Sequence, residues 1–313
     1  MAHLSRPTVD SAIRLAVVAD PHVSMRAEGT SKLFEHTFEH FEAAIEDITN
    51  RDVDAVLSPG DLTKDGERWN VNAVEDTLDA LDVPFLAVPG NHDVPKADEE
   101  HDALSVESFA NRFSPGTYPF HEEIGALNVL GVNSAGNADR LTDTHDGAVD
   151  ADQREWLASH LDAHDDALVL VHHNLESVTE QLRRHRDRVA EEMAIPPTMR
   201  DASDLREVLS DGEARLVLTG HFHVPLTGVE DGVREIAAPT TCSFPQSYLL
   251  VDITPDGTDI RLVPVADADR LELAHDRRVS DSITARGLTS IGAARLASMP
   301  LVIEDRSSRS DHS

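Results

Sequence analysis

The feature that most limits the fold of this chain is the alternation of short β-branched apolar runs with amphipathic helical segments. The runs lie at residues 15–19, 55–57, 85–88, 129–132, 167–171 and 216–218. Between the first two, apolar residues recur at three- and four-residue steps, at Phe34, Phe38, Phe41, Ile45 and Ile48, and a second helix is predicted over residues 67–81. Such alternation predicts the α/β class.

The pattern changes after His223, where strand-like runs are separated by turn residues. These runs lie at residues 233–237, 247–253 and 258–265, and they predict a second, more antiparallel sheet. Pro/Gly/Ser-rich linkers and repeats are missing from the sequence, so we expect one domain over residues 10–270 and a C-terminal extension over residues 271–313. The last eight residues, 306–313, are predicted to be a disordered tail.

Charge is the most unusual property of the composition. The 313 residues include 58 acidic and 27 basic side chains, a formal net charge of −31, and only Lys32, Lys64 and Lys96 are lysines. Salt screens such self-repulsion, so the composition predicts a protein from a salt-rich cytoplasm. An acidic chain attracts phosphate backbones poorly, which makes nucleic acid an unfavourable partner.

Hydropathy gives no sign of a membrane partner. The sequence has no run of about 18 to 20 apolar residues, and its first ten residues lack the apolar core of a secretory signal. Cys242 is the single cysteine, so no intrachain disulfide forms. We therefore expect a cytoplasmic protein, and the sequence leaves open whether it forms a homo-oligomer.

Polar side chains follow five of the predicted strands at the point where each strand ends. The five groups are Asp20-Pro21-His22, Gly60-Asp61, Gly90-Asn91-His92-Asp93, His172-His173 and Gly220-His221-Phe222-His223. Each residue alone has a structural explanation as a turn or cap residue. Ligands of α/β sheets bind beyond the carboxyl ends of strands, so five coincident groups predict one shared site.

Carboxylates and neutral imidazoles in such a cluster predict divalent metal ions. Nitrogen and oxygen ligands suit Mn²⁺, Fe²⁺ or Fe³⁺ and Zn²⁺, and the sequence does not choose among them. Two ions about 3.5 to 4 Å apart can lower the pKa of a water between them and hold a phosphoryl group during in-line displacement. The cluster therefore predicts hydrolysis of a phosphate ester.

The five motifs, D-P-H, G-D, G-N-H-D, a strand-end histidine and G-H-F-H, resemble those of the calcineurin-like metallophosphoesterase superfamily in order and spacing. The resemblance extends over residues 14–265. It implies a four-layer α/β/β/α sandwich in which two mixed sheets pack face to face. It also implies a dinuclear metal site at one edge of the sheets.

The resemblance also implies a role for each site residue. The first metal would be held by Asp20, His22 and His223, and the second by Asn91, His172 and His221. Asp61 would bridge the two metals, and a hydroxide between them would attack phosphorus. His92, a non-ligand beside the asparagine, would stabilise charge on the phosphoryl group or protonate the leaving oxygen. Asp61 and His92 are thus the expected catalytic residues.

Two shorter matches favour one subgroup. The segment 60–66, G-D-L-T-K-D-G, and the segment 238–242, A-P-T-T-C, are similar to those of cyclic-nucleotide (class III) phosphodiesterases. The fourth motif usually continues H-H-P-P, whereas here Asn174 and Leu175 follow, so the choice of His172 over His173 as the ligand stays open. The charged segment 176–200 is predicted to be an inserted helix that forms a rim over the site.

The expected activity is hydrolysis of a small phosphodiester, either a cyclic nucleotide or a glycerophosphodiester. Three alternatives stay open: a phosphomonoesterase, a nuclease and a metal-binding scaffold without turnover. A nuclease groove needs basic residues, which are scarce outside residues 183–188. A scaffold typically loses ligands, and every expected ligand is present here.

Overall fold

A computed structural model describes residues 1–97, 99 and 101–305 of the chain. Its strands form two mixed sheets, and apolar side chains of both sheets meet in one shared core that includes Leu15, Leu57, Val129, Leu170 and Leu218. Helices cover the outer face of each sheet. This arrangement confirms the predicted α/β/β/α sandwich.

The first sheet has seven strands in the order β13-β1-β12-β11-β2-β3-β4. They are β1 (Ala2–Leu4), β2 (Ile13–Val17), β3 (Ala55–Ser58), β4 (Phe85–Ala87), β11 (Ser247–Thr254), β12 (Gly257–Pro264) and β13 (Val302–Ile303). Strands β2, β3 and β4 are parallel, so the turns that follow them meet at one edge. Strand β11 runs antiparallel to both β2 and β12.

The second sheet has six strands in the order β5-β6-β7-β8-β10-β9. They are β5 (Phe120–Ile124), β6 (Leu127–Gly131), β7 (Leu168–Leu170), β8 (Leu216–Thr219), β9 (Leu226–Glu230) and β10 (Val233–Ala237). The four central strands are parallel, and β5 and β9 are antiparallel edges. The ends of β7 and β8 therefore meet at one edge too.

The helices lie outside the two sheets. They are α1 (Thr37–Thr49), α2 (Arg68–Leu78), α3 (Val106–Phe113), α4 (Ala151–Leu161), α5 (Glu176–Arg188), α6 (Ala202–Asp211), α7 (Ala268–Asp281) and α8 (Ile283–Ala297), and a 3-10 turn at Phe34–His36 precedes α1. Among the described residues, no helix is both long enough and apolar enough to span a membrane.

Alternation along a single strand shows why both faces of a sheet are buried. Leu15 and Val17 of β2 point into the shared core, whereas Ala16 and Val18 pack against α1 and α2. Burying each such aliphatic side chain contributes roughly 1.5 to 3 kcal/mol. The run is therefore apolar at every position, as a strand with two covered faces requires.

The strands after His223 do not form a separate sheet, so this prediction is wrong. β9 and β10 complete the second sheet, because β10 pairs in parallel with β8. β11 and β12 join the first sheet, because β11 pairs with β2. Turn residues predict where strands begin and end, but they carry no information about which distant strand becomes the neighbour.

The first sheet includes strands from outside the predicted domain of residues 10–270. β1 pairs antiparallel with β12, and β13 pairs with β1, so both ends of the described chain contribute strands and β13 is the edge. Of the predicted extension, α7 and α8 pack on each other. The predicted disordered tail, residues 306–313, lies outside the described residues.

The predicted insert over residues 176–200 is helical only in its first half. α5 ends at Arg188, and an irregular loop follows over residues 189–198. Pro196 and Pro197 of this loop line the cavity above the strand ends. The loop thus forms the rim that the sequence predicts.

Candidate metal centre

The side chains at the strand ends stand on sharply turned backbone. Asp20, His22, Asp61, His221 and His223 have positive φ angles of 49°, 45°, 53°, 70° and 61°. Left-handed backbone is uncommon for residues other than glycine, and such conformations cluster at functional sites. Each turn redirects the chain so that a side chain points across the sheet edge.

Two glycines let neighbouring turns approach each other. Gly60 has φ of 98°, and a Cβ there would overlap the backbone nitrogen of Gly90. A Cβ at Gly90 would overlap Oδ1 of Asp61. The Asp61 carboxylate therefore lies directly against backbone that only glycine provides.

One group of possible ligands consists of Asp20, His22, Asp61 and His223. One ligand atom from each lies within 4.8 Å of the others. Nε2 of His22 is 3.1 Å from Nε2 of His223 and 3.4 Å from Oδ2 of Asp61. All four residues are buried. Two carboxylates and two imidazoles aimed at one point form a donor set that fits a divalent ion.

A second group lies on the other side of Asp61. Ligand atoms of His172, His173 and His221 lie within 4.8 Å of one another. Nε2 of His172 is 3.1 Å from Oδ1 of Asn91 and 3.5 Å from Oδ2 of Asp61. Oδ2 of Asp61 thus lies close to imidazoles of both groups, as a bridging carboxylate requires.

Hydrogen bonds distinguish His172 from His173. Nδ1 of His172 donates to the carbonyl of Pro59 at 2.7 Å, so its Nε2 lone pair faces Asn91 and Asp61. Both nitrogens of His173 have partners, because Nε2 donates to the His145 carbonyl at 3.1 Å and Nδ1 lies 2.8 Å from Ser134 Oγ. The geometry favours His172 as the ligand.

His221 is oriented by the rim loop. Its Nε2 donates to the carbonyl of Pro197 at 2.7 Å, which leaves Nδ1 as the nitrogen with a free lone pair. Such a bond to a backbone carbonyl is the usual way in which a ligating imidazole is held. The insert therefore contributes to the site through its backbone.

Burial shifts the pKa values of the carboxyls and of the imidazoles in opposite directions, each towards the neutral form. Loss of solvation raises the pKa of the Asp20 and Asp61 carboxyls. It also lowers the pKa of the His22 and His172 imidazoles, which favours neutral rings. Neutral imidazoles bind metal, and an ion would supply the positive charge that the buried carboxylates lack.

Asp93 fastens two of the turns together, a role that the sequence analysis did not assign. Its carboxylate accepts hydrogen bonds from the backbone nitrogens of Leu62, Thr63 and Gly90 at 3.0 to 3.1 Å. It also accepts from Thr63 Oγ1. Its position as the last letter of G-N-H-D is the signal that pointed to it.

His92 stands beside the cluster and is held at two atoms. Its backbone nitrogen donates to Oδ1 of Asp61 at 2.8 Å, and its Nδ1 is 2.7 Å from Oδ1 of Asp65. Burial alone would raise the pKa of Asp65, but hydrogen bonds from His92 and Lys64 outweigh it and lower that pKa to about 2. Asp65 is therefore an ionised partner of the His92 ring.

A cavity of about 340 Å³ opens above the cluster. Asp61, Asn91, His92, His221 and His223 line part of it. Two prolines of the rim loop and residues of α7, of α8 and of the junction between them line another part. These residues are Pro196, Pro197, Arg278, Ser282, Thr284, Ala285 and Leu288. The sequence analysis missed this helical contribution, as well as His145, whose ring stacks on His92 with the ring centres 5.0 Å apart.

Comparison with known proteins agrees with this geometry. Residues 13–225 match the family described as calcineurin-like phosphoesterase. The chain is 26% identical over 253 residues to a 3′,5′-cyclic adenosine monophosphate phosphodiesterase, CpdA, of Vibrio vulnificus, covering 77% of this chain and 81% of that protein. It is 26% identical over 259 residues to the DNA double-strand break repair protein Mre11 of Haloferax volcanii, covering 79% of this chain and 51% of that one.

Among solved structures, a dimetal phosphatase from Danio rerio has the same fold. The two superpose with a TM-score of 0.64 at 13% sequence identity, over 82% of this chain and 97% of that one.

Proposed function

The chain belongs to the calcineurin-like phosphoesterase family and is a hydrolase of phosphoester bonds, and we propose that it hydrolyses a small phosphodiester, of the cyclic nucleotide or glycerophosphodiester type. One observation carries the proposal. Oδ2 of Asp61 lies 3.4 Å from His22 Nε2 and 3.5 Å from His172 Nε2, so one carboxylate oxygen serves two groups of ligands.

The proposed ligand sets follow these two groups. Asp20, His22 and His223 would hold one divalent ion, Asn91, His172 and His221 would hold a second, and Asp61 would belong to both ligand sets. Bound divalent ions lower the pKa of a coordinated water and offset the charge of phosphoryl oxygens. The donor types fit Mn²⁺, Fe²⁺ or Fe³⁺ and Zn²⁺.

His92 is the proposed general acid. A water that has given one proton to solvent adds to phosphorus while the bond from phosphorus to the leaving oxygen breaks, and the leaving oxygen takes a proton from Nε2 of His92. Burial and Lys32 lower the pKa of His92, and Asp65, 2.7 Å from Nδ1, holds the ring and opposes that shift. His92 lines the cavity, where the leaving group must lie.

The preference for diesters rests on similarity. G-D-L-T and A-P-T-T-C resemble the cyclic-nucleotide phosphodiesterases, and CpdA of Vibrio vulnificus aligns over most of both chains. The cavity of about 340 Å³ suits a ligand of nucleotide or glycerophosphodiester size. The net charge of −31 argues against a long nucleic acid as the substrate.

The test compares bis-p-nitrophenyl phosphate with p-nitrophenyl phosphate in molar KCl with Mn²⁺, before and after chelation. We expect faster, chelator-sensitive hydrolysis of the diester. Faster hydrolysis of the monoester would indicate a phosphomonoesterase, and cleavage of single-stranded DNA a nuclease. Absence of turnover with any of the three metals would indicate a scaffold.

Two variants test the proposed roles with the same diester. Asp61→Ala should lose turnover and bound metal, whereas His92→Ala should lose turnover and keep the metal. Full activity in either variant would contradict the mechanism. Cyclic nucleotides and glycerophosphodiesters are then compared as natural substrates.

A further inference from the structure

Arg278 of α7 is buried in an unusual way. Arg278 is only 2% exposed, and it is the one buried arginine among the described residues. Nη1 donates to the carbonyls of His223 and Phe244 and, at 3.2 Å, to Ser243 Oγ. These three bonds attach α7 to the turns beside the proposed metal ligands.

The rest of the guanidinium has no partner in the described part of the chain. Nε and Nη2 make no hydrogen bond there, and no described carboxylate lies within ion-pair distance of Arg278. Other partly buried arginines in this acidic chain do have carboxylate partners, as Arg154 has Asp201 and Arg234 has Glu304. Arg278 therefore keeps three N–H donors and has no direct ion pair among the described residues, and Asp20, a proposed metal ligand, acts on its charge only from beyond hydrogen-bond distance.

A buried charge without a counter-ion is unfavourable, and buried charges in proteins are normally paired. Arg278 lines the cavity that contains Asp61, His92 and His223. A guanidinium with free donors on a cavity wall is a binding site for a planar or tetrahedral anion. The missing counter-ion is thus expected to arrive with the substrate.

Lys32 also lines this cavity, but it stands elsewhere in it. Its Nζ is 3.3 Å from Nδ1 of His22 and 3.5 Å from Nε2 of His92, the ring proposed to face the reacting phosphoryl group. Arg278 instead contacts the backbone of His223 and Phe244, and its helix continues into the wall formed by Ser282 and Leu288. The two cations therefore stand on different elements around the same cavity.

We propose that Arg278 is a specificity-determining residue, which binds a second anionic group of the substrate, a phosphate or a carboxylate, apart from the phosphoryl group that reacts. The inference rests on the proposed function, because it assigns the reacting phosphoryl group to the metal ligands and His92. It predicts that, among the proposed small phosphodiesters, the natural substrate carries a second anionic group, which a cyclic nucleotide with its single phosphate lacks.

The test measures binding, so it does not require turnover. Phosphonoacetate, 3-phosphonopropionate and 4-phosphonobutyrate are titrated calorimetrically into the Mn²⁺-loaded protein, each beside its neutral carboxamide. Acid and amide have the same phosphonate and nearly the same shape. We expect at least one acid to bind about tenfold more tightly than its amide, the effect of one charge-assisted pair.

Arg278→Gln should abolish this preference and leave the affinity for the amide within about threefold. Arg277→Gln, on the exposed neighbour in the same helix, is the matched control and should keep the preference. Equal binding of acids and amides by the unmodified protein would overturn the proposal, and so would a preference that survives Arg278→Gln.

Arg278→Lys keeps a charge but loses the guanidinium fork, and it replaces the glutamine variant should that variant not fold. Its preference should fall at least about threefold, and an unchanged preference would count against the proposal. If the diester assay fails while the acids still bind more tightly than the amides, the second anion site stands and the proposed reaction does not.

Discussion

Two parts of the cavity lining are built in different ways. The inner end, formed by the strand-end turns at residues 20–22, 60–61, 90–93, 172–173 and 220–223, is buried except for the partly exposed His92 and His221, and its own side chains tie it together. Asp20 accepts from the backbone nitrogen of His221, and Asp61 accepts from that of His92, at 2.9 and 2.8 Å. We call this region the inner end throughout.

The outer wall consists of the loop 189–198 and of helices α7 and α8. It carries large apolar side chains in solvent, with Val189 65% and Ile283 43% exposed. It is attached to the inner end by the hydrogen bonds of Arg278, by that between His221 and Pro197, and by an apolar cluster that includes Phe222 and Leu288. The difference suggests that the inner end sets the chemistry, which needs fixed geometry, and the outer wall sets the choice of substrate.

Removal of Asp61 should have the largest effect. Asp61→Ala takes away the carboxylate shared by both ligand groups, and we expect kcat/KM to fall about a thousandfold or more, with loss of bound metal. Metal content is measured by atomic absorption after gel filtration. Asp76→Ala, on the exposed face of α2, is the control and should change neither quantity. A variant that retains both metals would refute the bridging role.

A methyl group at Gly90 should have the next largest effect. Its Cβ would overlap Oδ1 of Asp61, so the carboxylate must move, and a shift of about 1 Å at such a site can cost about a hundredfold in rate. Gly232→Ala is the control, because a Cβ there has open space around it, although its positive φ of 82° adds a backbone strain that Gly90 does not have. Steady-state rates of both variants with the same diester provide the comparison. Equal activities would show that the overlap with Asp61 does not disturb the site.

Removing the charge of Asp65, the partner of His92, should reduce the rate by a smaller factor. Asp65→Asn keeps the shape but removes the charge beside Nδ1, and we expect kcat to fall roughly thirtyfold, within the usual range for general-acid catalysis. Metal content should be unchanged, because Asp65 belongs to neither ligand group. A lower metal content in this variant would mean that Asp65 supports the ligands rather than His92.

A substitution in the outer wall should alter which esters bind well, but not the rate at which a small ester is hydrolysed. Leu288→Phe narrows the cavity opposite the metal ligands, so KM for bis-p-nitrophenyl phosphate should rise about tenfold. The rate with methyl p-nitrophenyl phosphate should stay within about twofold, and Leu288→Met, of similar volume, should behave as the parent does. Equal losses with both esters would assign Leu288 to the inner end instead.

The same contrast explains how much could be predicted from the sequence. The inner end follows from local rules, since buried strands have short apolar runs and the next residues, such as Asp61 and Asn91, reach the sheet edge. Distances such as the 3.5 Å between His172 and Asp61 follow from this placement. The five motifs and the fold class were predictable for this reason.

The outer wall depends on contacts between residues far apart in the chain. Arg278 reaches the turn at His223 from 55 positions away, and no periodicity in α7 indicates this. Likewise, β11 pairs with β2 rather than with its neighbours β9 and β10, because strand pairing depends on the whole sheet. The choice of His172 over His173 as the metal ligand likewise depends on the hydrogen bonds of both imidazole rings, which the sequence does not show.

A last prediction concerns Glu235, which lies behind the inner end and takes no part in the reaction. Its carboxylate accepts hydrogen bonds from Thr219 Oγ1, from Asn174 Nδ2 and from the backbone nitrogen of Leu175. Asn174 and Leu175 are the residues that stand where the fourth motif usually has P-P. Burial raises its pKa from 4.5 to about 7 despite these bonds. Glu235→Gln should leave the diester rate unchanged within about twofold, the smallest effect of this series on activity.

Stability should respond instead. Because the folded pKa is raised, the protonated acid favours the folded state below pH 4.5, and this advantage is lost as the pH rises towards 7. Between pH 4.5 and 7.5, the free energy of unfolding of the unmodified protein should therefore fall by up to about 3 kcal/mol relative to that of Glu235→Gln. Urea unfolding of both proteins in molar KCl measures this difference. A difference that stays constant with pH would mean that Glu235 is ionised throughout, and that its hydrogen bonds outweigh its burial.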